Sequence, residues 1–373
     1  PYRDMGFTDV APWETAEHKE LARQVTRKSV VLLKNEGGLL PLDKKEVRKI
    51  AVIGNRAESV LKDWYGALPA YSVSALEGIK AAVEDEDVEV RFQAWDSDGK
   101  AQELAAWADV AIVCVGNHPM TSPDWKWEKI QAPWGEGTVA GDGREAVDRR
   151  SLELESEDLI KMVWKANPNT IVALISSFPY TIDWTQEHVP SILHVSQCSQ
   201  ELGNALADVI FGDYNPAGRT TQTWVKDILD LPGMLDYDIR NGRTYMYFKG
   251  EPLYPFGYGL SYTSFEYSRL KVRCQKDSVR LSFDLSNTGG RDGEEVVQLY
   301  VRFPGDDAAM RLRGFERVPV SEGETVRVDL VVPFEDLKLW DTEAGAFGLA
   351  GGRYEFLIGA SSEDIRLSDS VAL

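Results

Sequence analysis

From residue 49 to about residue 211 the chain alternates short, mostly apolar runs with amphipathic stretches of helical period, and this alternation narrows the fold more than any other feature. The apolar runs lie at 49–53, 88–92, 110–115, 170–176 and 191–195, and the helical stretches at 74–83, 100–107, 156–166 and 200–211. A strand that is apolar at every position is buried on both faces, and strands joined through helices run parallel. The pattern therefore predicts an α/β domain: a mostly parallel sheet sandwiched by helices. Helical spacing also covers 16–30, and the run Val31-Leu32-Leu33-Lys34-Asn35 behind it ends at Gly37-Gly38.

Beyond residue 215 the period is lost. Residues 215–263 are rich in Pro, Gly and Tyr and read as an ordered linker. Seven short strands with turn signals between them follow at 264–274, 279–286, 295–302, 312–318, 325–332, 353–358 and 365–371. Short strands at that spacing predict an all-β, immunoglobulin-like sandwich. The expected organisation is a linker over 1–15, an α/β domain over 16–215, an ordered linker over 216–263 and the sandwich over 264–373.

Charge excludes some partners. With 41 Lys and Arg against 60 Asp and Glu, the net charge is −19. Nucleic acid and anionic membrane surfaces both select basic surfaces, so neither is an expected partner, whereas a neutral sugar is compatible. No apolar run reaches membrane-spanning length, and the opening Pro1-Tyr2-Arg3-Asp4 lacks a signal pattern and reads as interior to a longer polypeptide. Cys114, Cys198 and Cys274 are too widely spaced for a zinc site or a disulfide framework, and buried thiols are expected. His18, His188 and His194 have no metal-ligand spacing and read as ordinary. Ile50-Ala51-Val52-Ile53-Gly54-Asn55 opens like a dinucleotide fold, but the further glycines are missing.

One connection breaks the α/β rhythm. About forty residues between Val115 and Ser156 show little periodicity and contain Trp125, Trp127 and Trp134. Loops that long in a compact domain are usually functional, and this one starts at the carboxyl end of a strand, where open α/β sheets place ligands.

Residues 22–35, Gly143-Arg144-Glu145-Ala146-Val147-Asp148-Arg149, 201–219, 254–263 and 287–301, taken together and in that order, resemble glycoside hydrolase family 3, of the β-glucosidase and β-xylosidase type. Residues 22–35 with Leu40-Pro41-Leu42 are similar to the segment entering that family's second domain, and 201–219 to its closing helix and turn. Residues 254–263 resemble the family's linker, and Asn287-Thr288-Gly289 with 293–301 its fibronectin type III-like module. The central match is Gly143-Arg144-Glu145-Ala146-Val147-Asp148-Arg149, with Leu152 and Leu154 behind it.

The resemblance implies an exo-acting, retaining hydrolase of β-linked oligosaccharides or glycosides, with Glu145 as general acid/base. Its nucleophile would be an aspartate on a (β/α)8 barrel, for which these residues contain no set of eight strand–helix units. A retaining mechanism needs two carboxyl groups about 5–5.5 Å apart, so this chain would supply one and by itself is expected to be inactive. Glu136, in Trp134-Gly135-Glu136-Gly137, is the rival for the acid/base role; a solvated loop glutamate is the ordinary reading of either residue. Asp148 and Arg149 are expected to form an ion pair that anchors the loop.

Asn117 and His118, immediately after the 110–116 strand, and Trp134 and Trp64 are the candidate sugar-binding residues. A hydrogen-bonded turn or a loop anchor is the plainer role for each. No metal or organic cofactor is implied, and a homodimer is compatible with the sequence. Family members acting on plant polysaccharide fragments are often exported, which points to the periplasm or the cell exterior. Two alternatives stay open: a non-catalytic carbohydrate-binding or scaffold protein without the barrel, and a two-chain enzyme.

Overall fold

The computed structural model describes residues 11–58, 60, 69–96, 98–116, 151–196 and 199–373. Helix α1 (Ala16–Ser29) is capped by Thr15, whose side chain accepts from the His18 N–H. Then come β1 (Val31–Asn35), β2 (Lys49–Ile53), α2 (Ala75–Ala82), β3 (Glu89–Gln93), α3 (Lys100–Trp107) and β4 (Val110–Val115). After the long connection follow α4 (Glu157–Ala166), β5 (Thr170–Ile175), α5 (Asp183–His188), β6 (Ser191–Val195) and α6 (Leu202–Ile210). These strands form one sheet in the order β1-β6-β5-β4-β2-β3, parallel throughout except β1, which runs antiparallel to β6.

Burial explains the sheet's composition. Every residue of β4 and β5 is buried. Alternate residues of one strand serve opposite cores: Val110, Ile112 and Cys114 face one layer of helices, and Ala111, Val113 and Val115 the other. The predicted two-sided α/β sandwich is the observed one. On one face α2 and α6 touch at glycines, because a Cβ on Gly78 would stand 2.1 Å from the Gly203 carbonyl and one on Gly203 1.8 Å from the Ser74 carbonyl oxygen. The Ser74–Glu77 capping box fixes the start of α2 at that crossing.

The segment after α6 crosses the α/β layer as an ordered strap. Trp224 bridges Tyr254, and Leu260 bridges Leu32 on the outer side of β1. Its tyrosines bond into the layer beneath: Tyr254 to the Gln186 side chain, Tyr258 to the Leu33 carbonyl (3.1 Å) and Tyr262 to the Val209 carbonyl (2.9 Å). A short helix, α7 (Thr244–Tyr247), lies within it.

Residues 265–372 form the expected β-sandwich. Its long strands are β7 (Phe265–Cys274), β8 (Ser278–Asn287), β9 (Gly293–Arg302), β10 (Arg311–Val320), β11 (Thr325–Pro333), β14 (Arg353–Gly359) and β15 (Ile365–Ala372). One sheet has the order β10-β9-β14-β15 and the other β11-β8-β7, with Phe283, Val297, Leu299, Tyr354 and Phe356 buried between them. A hairpin of β12 (Leu339–Asp341) and β13 (Ala346–Gly348) adds a small arm. Cys114 is buried as expected, but Cys274 is exposed, because it ends the edge strand β7 where no second layer covers it; Cys198 lies outside the described residues.

The two layers meet through a polar seam. Arg219, just past α6, donates to Glu295 on β9 at 2.8 Å, and both side chains are more than nine-tenths buried. Beside it, Glu294 receives Lys28 (3.1 Å), Arg317 (3.1 Å) and the Tyr214 hydroxyl (2.5 Å). Gln298 donates to the carbonyls of Gly257 and Ala360, and the Tyr300 hydroxyl donates back to its Oε1. Such charges are tolerated in a dry seam because each has a partner.

Candidate functional site

Parallel strands bring their carboxyl ends to one edge of a sheet, the edge at which α/β folds place ligands. Here Ile53, Val115, Ile175 and Val195 end β2, β4, β5 and β6 along that edge. The sequence candidates follow two of these ends: Trp64 comes after β2, and Asn117, His118, Trp134, Glu136 and Glu145 come after β4. All six lie outside the described residues, as do Trp125, Trp127, Asp148 and Arg149. β2 and β4 are hydrogen-bonded neighbours, so both segments leave the sheet from adjacent strands, about 4.8 Å apart.

The described rim shows how these departures are held. Gly54 has φ +112°, and a Cβ there would lie 2.2 Å from the Cys114 carbonyl oxygen; Gly116 has φ +136°, and a Cβ there would lie 2.0 Å from that of Ile175. At each strand end the chain tucks against the next strand, which leaves no room for a side chain. Arg56 Nε donates to the Gly116 carbonyl at 3.1 Å, clamping the last residue before the 117–150 segment. Re-entry is fastened as well: Thr181 N–H donates to the Leu152 carbonyl (2.9 Å), Glu153 bridges Thr181, and Leu154 is buried in the core. Sequence reasoning did not single out Arg56; its only signal was a charge two residues after the glycine that follows β2.

Further along the same edge, beyond β5 and β6, opens a cavity of about 620 Å³ between α1, the strap and strands β9 and β10. His194 lines it, although nothing in the sequence set this histidine apart. Its Nε2 lies 3.1 Å from Ser176 Oγ and 3.2 Å from the Ser176 carbonyl oxygen. Ser176 Oγ donates its own proton to the Phe178 carbonyl, so it accepts from His194, and the imidazole proton sits on Nε2. Desolvation, against the edge of Trp224 at 5.2 Å, pushes the His194 pKa down to about 4, so the ring is neutral at neutral pH.

A histidine whose folded pKa is depressed takes up its proton more readily in the unfolded chain. Its contribution to stability is complete above pH 6.5 and is lost as the pH falls towards 4. Between pH 7 and 4.5 this group alone should remove about 2 kcal/mol. Urea unfolding at several pH values should show that slope in the native chain and a flatter one in His194→Gln. Equal slopes would refute the neutral, half-buried ring. Among the described residues no cluster of three or more His, Cys, Asp or Glu could hold a metal, and no helix is long and apolar enough to cross a membrane.

Comparison with known proteins adds an independent line. Residues 30–262 match the model of the glycosyl hydrolase family 3 C-terminal domain, and 295–362 that of a fibronectin type III-like domain. A beta-xylosidase of Formosa agariphila is 31% identical over 95% of this chain and 50% of its own length. Thermostable beta-glucosidase B of Acetivibrio thermocellus is 32% identical over 97% of this chain and 49% of its own. The crystal structure of beta-D-glucoside glucohydrolase from Trichoderma reesei superposes with a TM-score of 0.83 at 27% identity, over 96% of this chain and 56% of that one. The chain thus spans about half the length of the curated relatives it matches. With the family model covering well over half of the residues and the Trichoderma structure superposing on nearly all of them, the chain belongs to glycosyl hydrolase family 3.

Proposed function

We propose that the polypeptide carrying this chain is an exo-acting, retaining β-glycosidase for β-linked glucosides or xylosides, with Glu145 as its general acid/base. The nucleophilic aspartate belongs to a (β/α)8 barrel outside these residues. Glu145 protonates the glycosidic oxygen as the first bond breaks, then takes a proton from the water that releases the sugar, which requires a carboxyl pKa raised towards the working pH. Trp64, Asn117, His118 and Trp134 hold the sugar, and Glu136 is the rival acid/base.

The observation that carries this reading is the shared departure point. The segments bearing all these residues leave adjacent strand ends, and the longer one leaves a carbonyl clamped by Arg56 and returns to a fixed rung at Thr181. A carboxyl group that must meet a partner within about 5.5 Å needs such fixed ends. The test follows the anomeric proton by NMR while the native polypeptide cleaves an aryl β-D-glucoside or β-D-xyloside. The β-anomer appears first under retention. First release of the α-anomer would overturn the proposed pairing of carboxyl groups.

A further inference from the structure

The cavity beside His194 is not absorbed by the acid/base reading, because its walls come from other segments. The carboxyl-terminal half of α1 supplies Val25, the strand ends supply Phe178, the strap supplies Trp224 and Phe256, and β10 supplies Leu312 and Phe315. These are mostly flat or branched carbon surfaces. At about 620 Å³ the volume lies within the ordinary range of small-molecule sites and suits one or two pyranose rings.

Charge narrows the ligand. Lys28, Arg219 and Arg317 all stand in the wall, and each is already paired with Glu294 or Glu295 at 2.8 to 3.1 Å. A charged ligand would lose its hydration here and meet no free counter-charge. Uncharged hydrogen-bonding groups remain open. His194 carries its proton on Nε2, which leaves Nδ1 as an acceptor, and no donor to it is found among the described residues. Gln222 adds an exposed amide at the rim.

Apolar, partly aromatic walls together with an open imidazole acceptor and an amide at the rim describe a ligand with carbon faces and hydroxyl edges. We infer that this interdomain cavity binds a neutral glycoside of one or two sugar rings. Phe315, 69% exposed at the mouth, offers its ring to the sugar, and His194 accepts from a hydroxyl.

The probes are the S-linked analogues of cellobiose and xylobiose, which resist cleavage, titrated into the native polypeptide, with the imidazole ¹⁵N shifts of His194 and tryptophan emission as readouts. At least one of the two should give a saturable change in both signals below about 50 mM. Phe315→Ala, at an exposed position, should leave the melting temperature unchanged and weaken binding about tenfold, the loss of one ring contact at a sugar face. Glu145→Gln should leave this binding intact, which separates it from the acid/base reading. Three results would overturn the inference: no shift at His194 with either sugar, unchanged affinity in Phe315→Ala, or binding abolished by Glu145→Gln. Uptake of 4-nitrophenol without uptake of either disaccharide would also overturn it, marking the cavity as a purely apolar site.

Discussion

Glu145→Ala should lower turnover of an alkyl β-glycoside by about 10² to 10⁴-fold in the native polypeptide, the usual worth of a positioned general acid/base. The loss depends on the leaving group in a way that identifies the role. An alkoxide needs the proton in the first step, so both steps suffer. A dinitrophenolate leaves unaided, so its first step is spared and only the release of the sugar by water is slow. Azide needs no base to attack the glycosyl intermediate, so adding it should restore turnover of the dinitrophenyl substrate and yield the β-glycosyl azide. Wild-type rates in Glu145→Ala would end the assignment and transfer it to Glu136. Because both ends of the 117–150 segment are fastened to the sheet, an effect of Glu145→Ala on stability should be small.

The second large effect lies at the seam. Glu295→Ala removes the acceptor of a buried Arg219 and leaves a cation with neither water nor counter-charge, which should cost about 3 to 5 kcal/mol of unfolding free energy. Replacing both partners with apolar side chains, Arg219→Met with Glu295→Leu, should recover most of that loss, since no lone charge then remains buried. Denaturant unfolding monitored by tryptophan emission measures both. A loss below about 1 kcal/mol in Glu295→Ala would mean that water reaches the guanidinium and the seam is wet.

Much of the fold was legible in residue pattern alone, for a physical reason. A strand buried on both faces selects apolar residues, so 110–115 could be read to the residue. β1 was not read as a strand, because Ser29 and Val30 carry the chain from helix to strand without a Gly, Pro or Asn to mark the change. Its state is set by two remote partners, β6 and Leu260, the latter more than two hundred residues away. The β12–β13 hairpin escaped notice because three-residue strands have no period and its Trp340 and Phe347 are exposed rather than buried.

The site divides in the same way. Glu145 and its neighbours were legible as a motif, which says what the residues are but not where they stand. Arg56 and the glycine tucks depend on which strand lies next door, and that is a property of sheet order. The cavity needed four separate segments to meet, so His194 looked ordinary until Ser176 fixed its tautomer and Trp224 packed against it.

The tyrosine strap bears on how such proteins can be recombined. Tyr254, Tyr258 and Tyr262 deliver their hydroxyls to Gln186, Leu33 and Val209, while Gly257 lies against Gln298 of the sandwich. A chimera joined anywhere between 215 and 263 would sever one side of that double attachment. Grafts from a relative should therefore transplant 215–373 as one cassette, together with the α/β residues that its tyrosines grip.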